Sequence, residues 1–377
     1  MGVIDRSMRR TAEAAATAGA VLTVDLVALA ANYRTLAALA GTAACAAVVK
    51  ADAYGLGAER IAPVLAAAGC RRFFVAQVGE GVALRDILGP GPAIAVLNGA
   101  PPGGEAACHT HALTPVLNEA GQLRAWQALA RRVGRALPAI LQIDSGMARF
   151  GFPVGEATAL LDDPAGFEGL ALHLVMSHLA CADEPAHPAN AGHRAAFAAI
   201  RRRLPQVPAS LSASSGIFLG EEFHFEMVRP GAALYGINPR PGCPNPMRPV
   251  VRLRARVVQM RDAAAGTAVG YGHTAELHRD SRLATVAIGY ADGFPRSTVG
   301  GEAWCEGHRL PQVGRVSMDS LVLDATDLPP GTLAPGDLVD IIGPDRPVDA
   351  VAASAGTIGY EILTGLGHRC HRTYSAA

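Results

Sequence analysis

Lysine is all but missing from this chain. Among 377 residues the single example is Lys50, and every other fixed cation is an arginine. An amine can lose its proton, attack a carbonyl and hold a Schiff base, whereas a guanidinium stays charged at any working pH. A compositional bias toward Ala, Arg, Gly and Pro accounts for the scarcity of lysine. It does not account for the place of the survivor, which ends the apolar run Ala46-Ala47-Val48-Val49-Lys50. Position 50 therefore reads as chemical. Net charge is lacking too: the formal balance is +0, and the basic cluster Arg201-Arg202-Arg203 reads as the solvated end of a helix. This argues against nucleic acid as a partner. Paired cysteine motifs are absent, since Cys45, Cys70, Cys108, Cys181, Cys243, Cys305 and Cys370 are scattered without a C-x-x-C. Neither a disulfide framework nor a zinc ribbon is indicated, and reduced thiols in the cytoplasm are the expectation. No apolar run approaches the ~20 residues that span a bilayer, so the chain is expected to be soluble and to have no membrane partner. Glu13 interrupts the alanine tract of the first twenty residues, so residues 1–20 read as a mobile extension and not as a signal peptide. H-E-x-x-H, P-loop and G-x-G-x-x-G patterns are missing as well, and His109-x-His111 reads as a polar loop and not as a metal site.

What is present is apolar bulk, 50% of the chain, enough for a large core and two domains. From Val21 to about Gly236, short apolar runs alternate with alanine-rich amphipathic segments, the pattern of βα units and a parallel sheet. Eight strands are expected: Cys45–Ala51, Phe73–Gln77, Ala93–Leu97, Leu113–Leu117, Ala139–Ile143, Leu170–Ser177, Ala209–Ala213 and Met227–Arg229. Helices are expected between them, among them Glu59–Ala68, Glu119–Val133 and Gly192–Leu204. The fold class is α/β, an N-terminal (β/α)8 TIM-type barrel over residues 21–247, with its chemistry at the C-terminal strand ends. Polar residues fall there: Lys50, Asp144, His178, Ser214, Ser215 and Arg229. After the proline-rich stretch 239–246, arginine alternates with apolar residues from Val250 to Val258, and later runs are short and β-branched. Residues 248–377 are thus expected to form a mostly β C-terminal domain.

The segment from Val48 to Gly57 resembles the pyridoxal-phosphate lysine motif of the alanine racemases, barrel-type (fold type III) PLP enzymes. Six further motifs follow in family order: Asp144-Ser145-Gly146-Met147-Ala148-Arg149, Met227-Val228-Arg229-Pro230-Gly231, Val269-Gly270-Tyr271-Gly272, Gly289-Tyr290-Ala291-Asp292-Gly293, Gly314-Arg315-Val316-Ser317-Met318-Asp319 and Thr357-Ile358-Gly359-Tyr360-Glu361. The resemblance implies that Lys50 holds PLP and serves as one base at the substrate Cα. Tyr271, supplied by the C-terminal domain of a partner subunit, serves as the other, so a homodimer with shared active sites interconverts L-alanine and D-alanine. A free amine titrates near ~10.4 and a phenol near ~10, so such bases need electrostatic help near neutrality. Arg229 matches the arginine that donates to the pyridine nitrogen and keeps the ring a weak electron sink. Ser215, Gly231, Ala232 and Tyr360 match phosphate contacts, Tyr54 the tyrosine beside the cofactor, and His178 the histidine against the pyridine face. Arg149, Met318 and Asp319 match substrate-side residues, and Tyr290 and Arg296 the entrance. The product serves peptidoglycan synthesis, or the enzyme acts in alanine catabolism.

The chain departs from the family where a lysine, carbamylated in most members, precedes the Asp-[ST]-Gly-Met motif by two residues. Here that residue is Gln142, which cannot be carbamylated, although its amide oxygen can accept a hydrogen bond from Arg149. A small anion such as chloride is expected near Gln142 and Arg149, with activity independent of carbon dioxide. Leu56 stands where histidine is usual and Ser214 where asparagine is usual. The rival readings are a racemase of broader specificity, a PLP-dependent decarboxylase of the same fold, a non-catalytic PLP carrier and a cofactor-free sugar-binding barrel.

Overall fold

The apolar runs of the first two thirds of the chain form parallel strands, each ending where Gly, Pro or a polar residue interrupts it. In the computed structural model the described residues are 14–375. They fall into two compact units: Leu29–Arg248, and the residues up to Ala28 together with those from Pro249 onward.

In the first unit the eight barrel strands are Ala44–Val48 (broken at Ala46), Arg72–Val75, Ala93–Val96, Leu113–Leu117, Leu137–Asp144, Leu170–Met176, Ala209–Ser210 and Met227–Val228. Strands one to seven pair in sequence order and in parallel. Strand eight closes the ring. Its Met227 and Val228 pair with Ala44 and Cys45 of strand one, and the N–H groups of Glu226 and Arg229 donate to the carbonyls of Ala209 and Ser212 beside strand seven. Phe73, Ile94, Leu117, Leu141 and Val175, which the strand registers place on one face of the sheet, are buried, as packed barrel layers require. Helices Ala58–Ala67, Val78–Leu88, Ala120–Val133, Val154–Asp162 and Ala189–Arg203 lie between strands. The first strand stops at Val48, two residues short of Lys50 and three short of its expected end, because the chain turns at once into a left-handed segment. His109 lies in the short helix Glu105–Thr110 with His111 as its cap, not in an irregular loop.

The second unit is built on an eight-stranded sheet in which the long strand Val251–Ala263 pairs with Leu338–Ile342 and, past a bulge at Val257/Gln259, on its other edge with Ser281–Val286. Its arginines alternate with the buried Val251, Leu253, Ala255 and Val257, so the period-two pattern is a one-face-buried strand. Ala20–Val24, read from sequence as part of the extension and the barrel, instead inserts between Val251–Ala263 and Cys370–Tyr374. Of the supposed extension 1–20, residues 1–13 lie outside the described residues and 14–17 are helical.

Candidate active site

Parallel strands deliver their last residues to one barrel mouth, and the mouth is lined by the residues that break the apolar runs. Lys50 follows the first strand. Immediately after it, Ala51, Asp52, Ala53 and Tyr54 all have φ between 52° and 60°. Four consecutive non-glycine residues in this left-handed region are disfavoured by about 1–2 kcal/mol each, so surrounding bonds must impose the turn. Asp52 Oδ1 accepts the Ala58 N–H at 2.7 Å, the Asp52 carbonyl accepts the Gly57 N–H, and Glu80 Oε1 accepts the Ala51 N–H at 2.7 Å. The turn swings Tyr54 inward, buried and 4.6 Å from the ring of Tyr235. The Lys50 amine is held below its ordinary value by burial and by the Arg149 charge, opposed by the Glu80 carboxylate.

Arg229 ends strand eight and is 2% exposed. Its guanidinium donates to Ser210 Oγ and, at 2.7 Å, to the Ser177 carbonyl. No carboxylate pairs with it among the described residues, and burial lowers it to about 10, so the cation persists at neutrality. Ser177 Oγ in turn donates to the Ile143 carbonyl and lies 2.7 Å from Ser145 Oγ, tying strands five and six beneath the arginine. His178 stands at the end of strand six. Desolvation first, then the charges of Arg229, Arg149 and Lys50, push its imidazole down to about 3, so the ring is neutral.

Two one-turn helices begin at Ser215 and Ala232, and the first N–H groups of such turns have no intrahelical acceptor. The Ser214 hydroxyl accepts the N–H groups of Gly231 and Ala233 at 3.0 and 3.1 Å, fixing the two turns together. A Cβ on Gly231 would collide with the Tyr54 hydroxyl, so backbone, phenol and the two turn openings form a close cradle. On the far side, Asp144 Oδ1 accepts N–H bonds from Gly146, Met147 and Ala148. Burial opposes its ionisation, but those three bonds hold the carboxyl below the usual range. The loop ends at Ala148, with φ of 57°, and presents an exposed Arg149 whose guanidinium sits 5.9 Å from the Phe150 ring. Gln142 is buried at 6% exposure and packs on Gly151. The hydrogen bond that the Gln142 amide could accept from Arg149 is not formed among the described residues, although the Arg149 charge acts on both Lys50 and His178.

The remaining sequence-predicted residues belong to the second unit. Tyr271 sits on a one-turn helix between Gly270 and Gly272, both with positive φ, and is 70% exposed. Tyr290 and Met318 lie on two loops that bond through their backbones: Tyr290 N–H to the Ser317 carbonyl and Ala291 N–H to that of Met318. Arg369 bridges the same loops, 3.0 Å from Asp292 and 2.6 Å from Asp319. Tyr360 opens the helix Gly359–Gly365, and Arg296 is exposed.

Against this geometry, residues 24–239 match the alanine racemase N-terminal domain and residues 250–374 the alanine racemase C-terminal domain. The chain belongs to the alanine racemase family. It is 54% identical to "Alanine racemase, catabolic" of Mesorhizobium japonicum, over 95% of this chain and 94% of that protein. It is 49% identical to the alanine racemase of Rhodospirillum rubrum, over 95% and 96%. The crystal structure of alanine racemase from Bartonella henselae with covalently bound pyridoxal phosphate superposes with a TM-score of 0.91 at 43% identity, covering 95% of this chain and all of that one. These likenesses do not favour the decarboxylase, carrier or sugar-barrel readings. Within this alanine racemase fold, the sequence reading missed Ser177 and Ser210, which hold Arg229, and Glu80, which holds the turn after Lys50. The spacing of Gln77 and Glu80 is that of a capping pair and was legible. The reach of Glu80 to Ala51 was not.

Proposed function

We propose that the protein interconverts L-alanine and D-alanine with pyridoxal 5'-phosphate held on Lys50, using Lys50 and Tyr271 as bases on opposite faces of the substrate. One observation carries this reading: the chain's single amine shares a barrel mouth with a buried arginine that has no carboxylate partner among the described residues. The residues present fit the cofactor. A buried, unneutralised guanidinium costs several kcal/mol unless an acceptor meets it, and a pyridine nitrogen is such an acceptor. The cradle of Tyr54, Gly231, Ala232 and Ser215 has the small residue at Gly231 and, at the starts of the turns at Ser215 and Ala232, backbone N–H groups without an intrahelical acceptor, as a phosphate requires. Bound there, the cofactor would acidify the substrate Cα–H by spreading the charge left behind into its ring.

The chain's own residues do the rest. Lys50 Nζ takes the Cα proton of D-alanine or returns it. Tyr271 of the partner subunit does the same for L-alanine through its hydroxyl. Arg229 would hold the cofactor's ring nitrogen by donation without giving up its proton, so the ring would supply only weak electron withdrawal and side reactions would be disfavoured. His178, neutral, would help hold the ring. Tyr360 joins the phosphate contacts, Arg149 engages the substrate carboxylate, Met318 and Asp319 of the partner subunit flank the substrate, and Tyr290 and Arg296 line the entrance. The homodimer is supported by the apolar side chains that the second unit leaves to solvent, Tyr271, Met318, Ile358 and Tyr360 among them. A small anion such as chloride beside Gln142 and Arg149 takes the place of the carbamate charge. A cytoplasmic location accords with seven free thiols, and the catabolic name of the Mesorhizobium relative supports a role in alanine breakdown.

The test is racemisation of L-alanine in deuterium oxide and carbonate-free, chloride-containing buffer, followed by chirality and by Cα deuterium. Wild type should exchange and equilibrate the enantiomers at full rate. Lys50→Ala should lose at least about 10³-fold in kcat, as removal of a base does, and Tyr271→Phe should suppress deuterium delivery to one face more than the other. Carbon dioxide release from the substrate would sink the reading, and a need for carbonate would sink its anion.

A further inference from the structure

Glu80 is the third residue of the helix Val78–Leu88 and closes a capping pair with Gln77. An ordinary cap uses one carboxylate oxygen, and here Oε2 meets that need alone, accepting the N–H groups of Ala76 at 2.7 Å and Gln77 at 3.1 Å. Oε1 is left over, and it reaches out of the helix to accept the Ala51 N–H at 2.7 Å. Ala51 is the residue after Lys50 and the first of the four left-handed residues. The carboxylate is half-buried, and it is the one acidic charge acting on the Lys50 amine, against burial and the Arg149 charge; the His178 ring nearby is neutral.

We propose that Glu80 is a positioning residue for Lys50: one oxygen anchors the cap of the helix after strand two, the other pins the opening of the left-handed turn, and its negative charge stands beside the amine. The helix cap thereby becomes a rigid bracket between strands one and two, so the amine leaves strand one at a constant angle. The charge works in a definite direction. A carboxylate beside an ammonium stabilises the charged form, whereas burial and Arg149 oppose it. Glu80 thus keeps Lys50 from becoming a neutral amine too readily. This inference rests on the reading of Lys50 as the cofactor-bearing amine.

Because Lys50 is the sole lysine, amine chemistry on the full chain reports one side chain. The full-length protein with pyridoxal 5'-phosphate is first reduced with borohydride and the Lys50 peptide weighed. Cofactor-free wild type, Glu80→Gln and Glu80→Asp, each checked for native circular dichroism, are then trace-labelled with acetic anhydride across a pH series, and labelling at Lys50 is read by peptide mass. Glu80→Gln keeps one acceptor but removes the charge, and the Lys50 labelling midpoint should fall by about one pH unit. Glu80→Asp keeps the charge but shortens the reach, so its midpoint should stay with wild type while kcat for alanine drops about tenfold with little change in KM. A Glu80→Gln profile that superposes on wild type overturns the role of Glu80 alone. Failure of borohydride to mark Lys50 in wild type overturns the reading of Lys50 and the proposal with it.

Discussion

Arg229 keeps its charge where water is nearly excluded, and serines, not acids, hold it. A carboxylate in their place would neutralise the guanidinium internally and leave it nothing to offer a ligand. With Ser210 and the Ser177 carbonyl as partners, its geometry is fixed and its charge remains available. The same charge acts on His178. Folded, the imidazole is held near 3 against an ordinary 6.5, desolvation being the first cause and Arg229 the second. Above pH 6.5 both folded and unfolded forms are neutral and the shift is silent. As pH falls below 6.5 the unfolded chain takes up a proton that the folded one refuses, so stability is lost toward pH 3. For cofactor-free protein, urea unfolding should therefore show about 1 kcal/mol less stability at pH 5.5 than at 6.5 from this residue. His178→Gln should remove that increment, and an unchanged slope in the variant would refute the assignment. None of this was legible from Met176-Ser177-His178-Leu179 alone, because the depressing charges come from strands one, five and eight.

At the level of elements, the alternation of apolar and amphipathic segments was enough to place the barrel strands within a few residues, because parallel strands buried on both faces read as short apolar runs. The pattern failed where tertiary bonds overrule local preference. Ala51-Asp52-Ala53-Tyr54 contains no glycine, yet its backbone is left-handed throughout, and no local rule anticipates that. Ser214 was read only as standing where asparagine is usual, and its hydroxyl clamps the turns that open at Ser215 and Ala232. The motifs located Lys50, Tyr54, His178 and Arg229 together at one mouth. They could not show that Arg149 and Gln142 would share no hydrogen bond among the described residues. The turn at Gly231 offers a sharp check on the cradle. Gly231→Ala places a methyl on the Tyr54 hydroxyl and 3.3 Å from the Val48 Cβ, and overpacking of this kind destabilises by about 1–3 kcal/mol. Pyridoxal phosphate affinity, followed by quenching of intrinsic fluorescence, should weaken by about tenfold, with a lower Tm. Wild-type affinity in the variant would mean that the phosphate sits elsewhere.

Taken whole, the chain is not two domains laid end to end. Ala20–Val24 looks from its own sequence like any first barrel strand, and only its long-range pairing assigns it to the other sheet. It lies in parallel beside Cys370–Tyr374, with the Thr23 and Thr373 hydroxyls 3.0 Å apart and the Ser375 N–H bonded to the Val24 carbonyl. The barrel sequence is thus an insertion within the second unit, entered after Ala28 and left before Pro249. During synthesis the barrel can be complete while the strand Ala20–Val24 still waits for its neighbours, Val251–Ala263 about 230 residues later and Cys370–Tyr374 about 350 residues later. Such distant closure slows folding more than it weakens the folded state. The remedy is a change of connectivity. Because the pair is parallel, residue 375 lies beside residue 25, so a circular permutant that joins residue 375 to residue 14 needs a flexible linker of about a dozen residues to run back along the strands; opened inside the proline-rich stretch 239–246, it makes the second unit continuous. It should refold faster from urea than the parent, with racemisation retained in both directions. Equal refolding rates would mean that closure between the two ends of the chain is not the slow event.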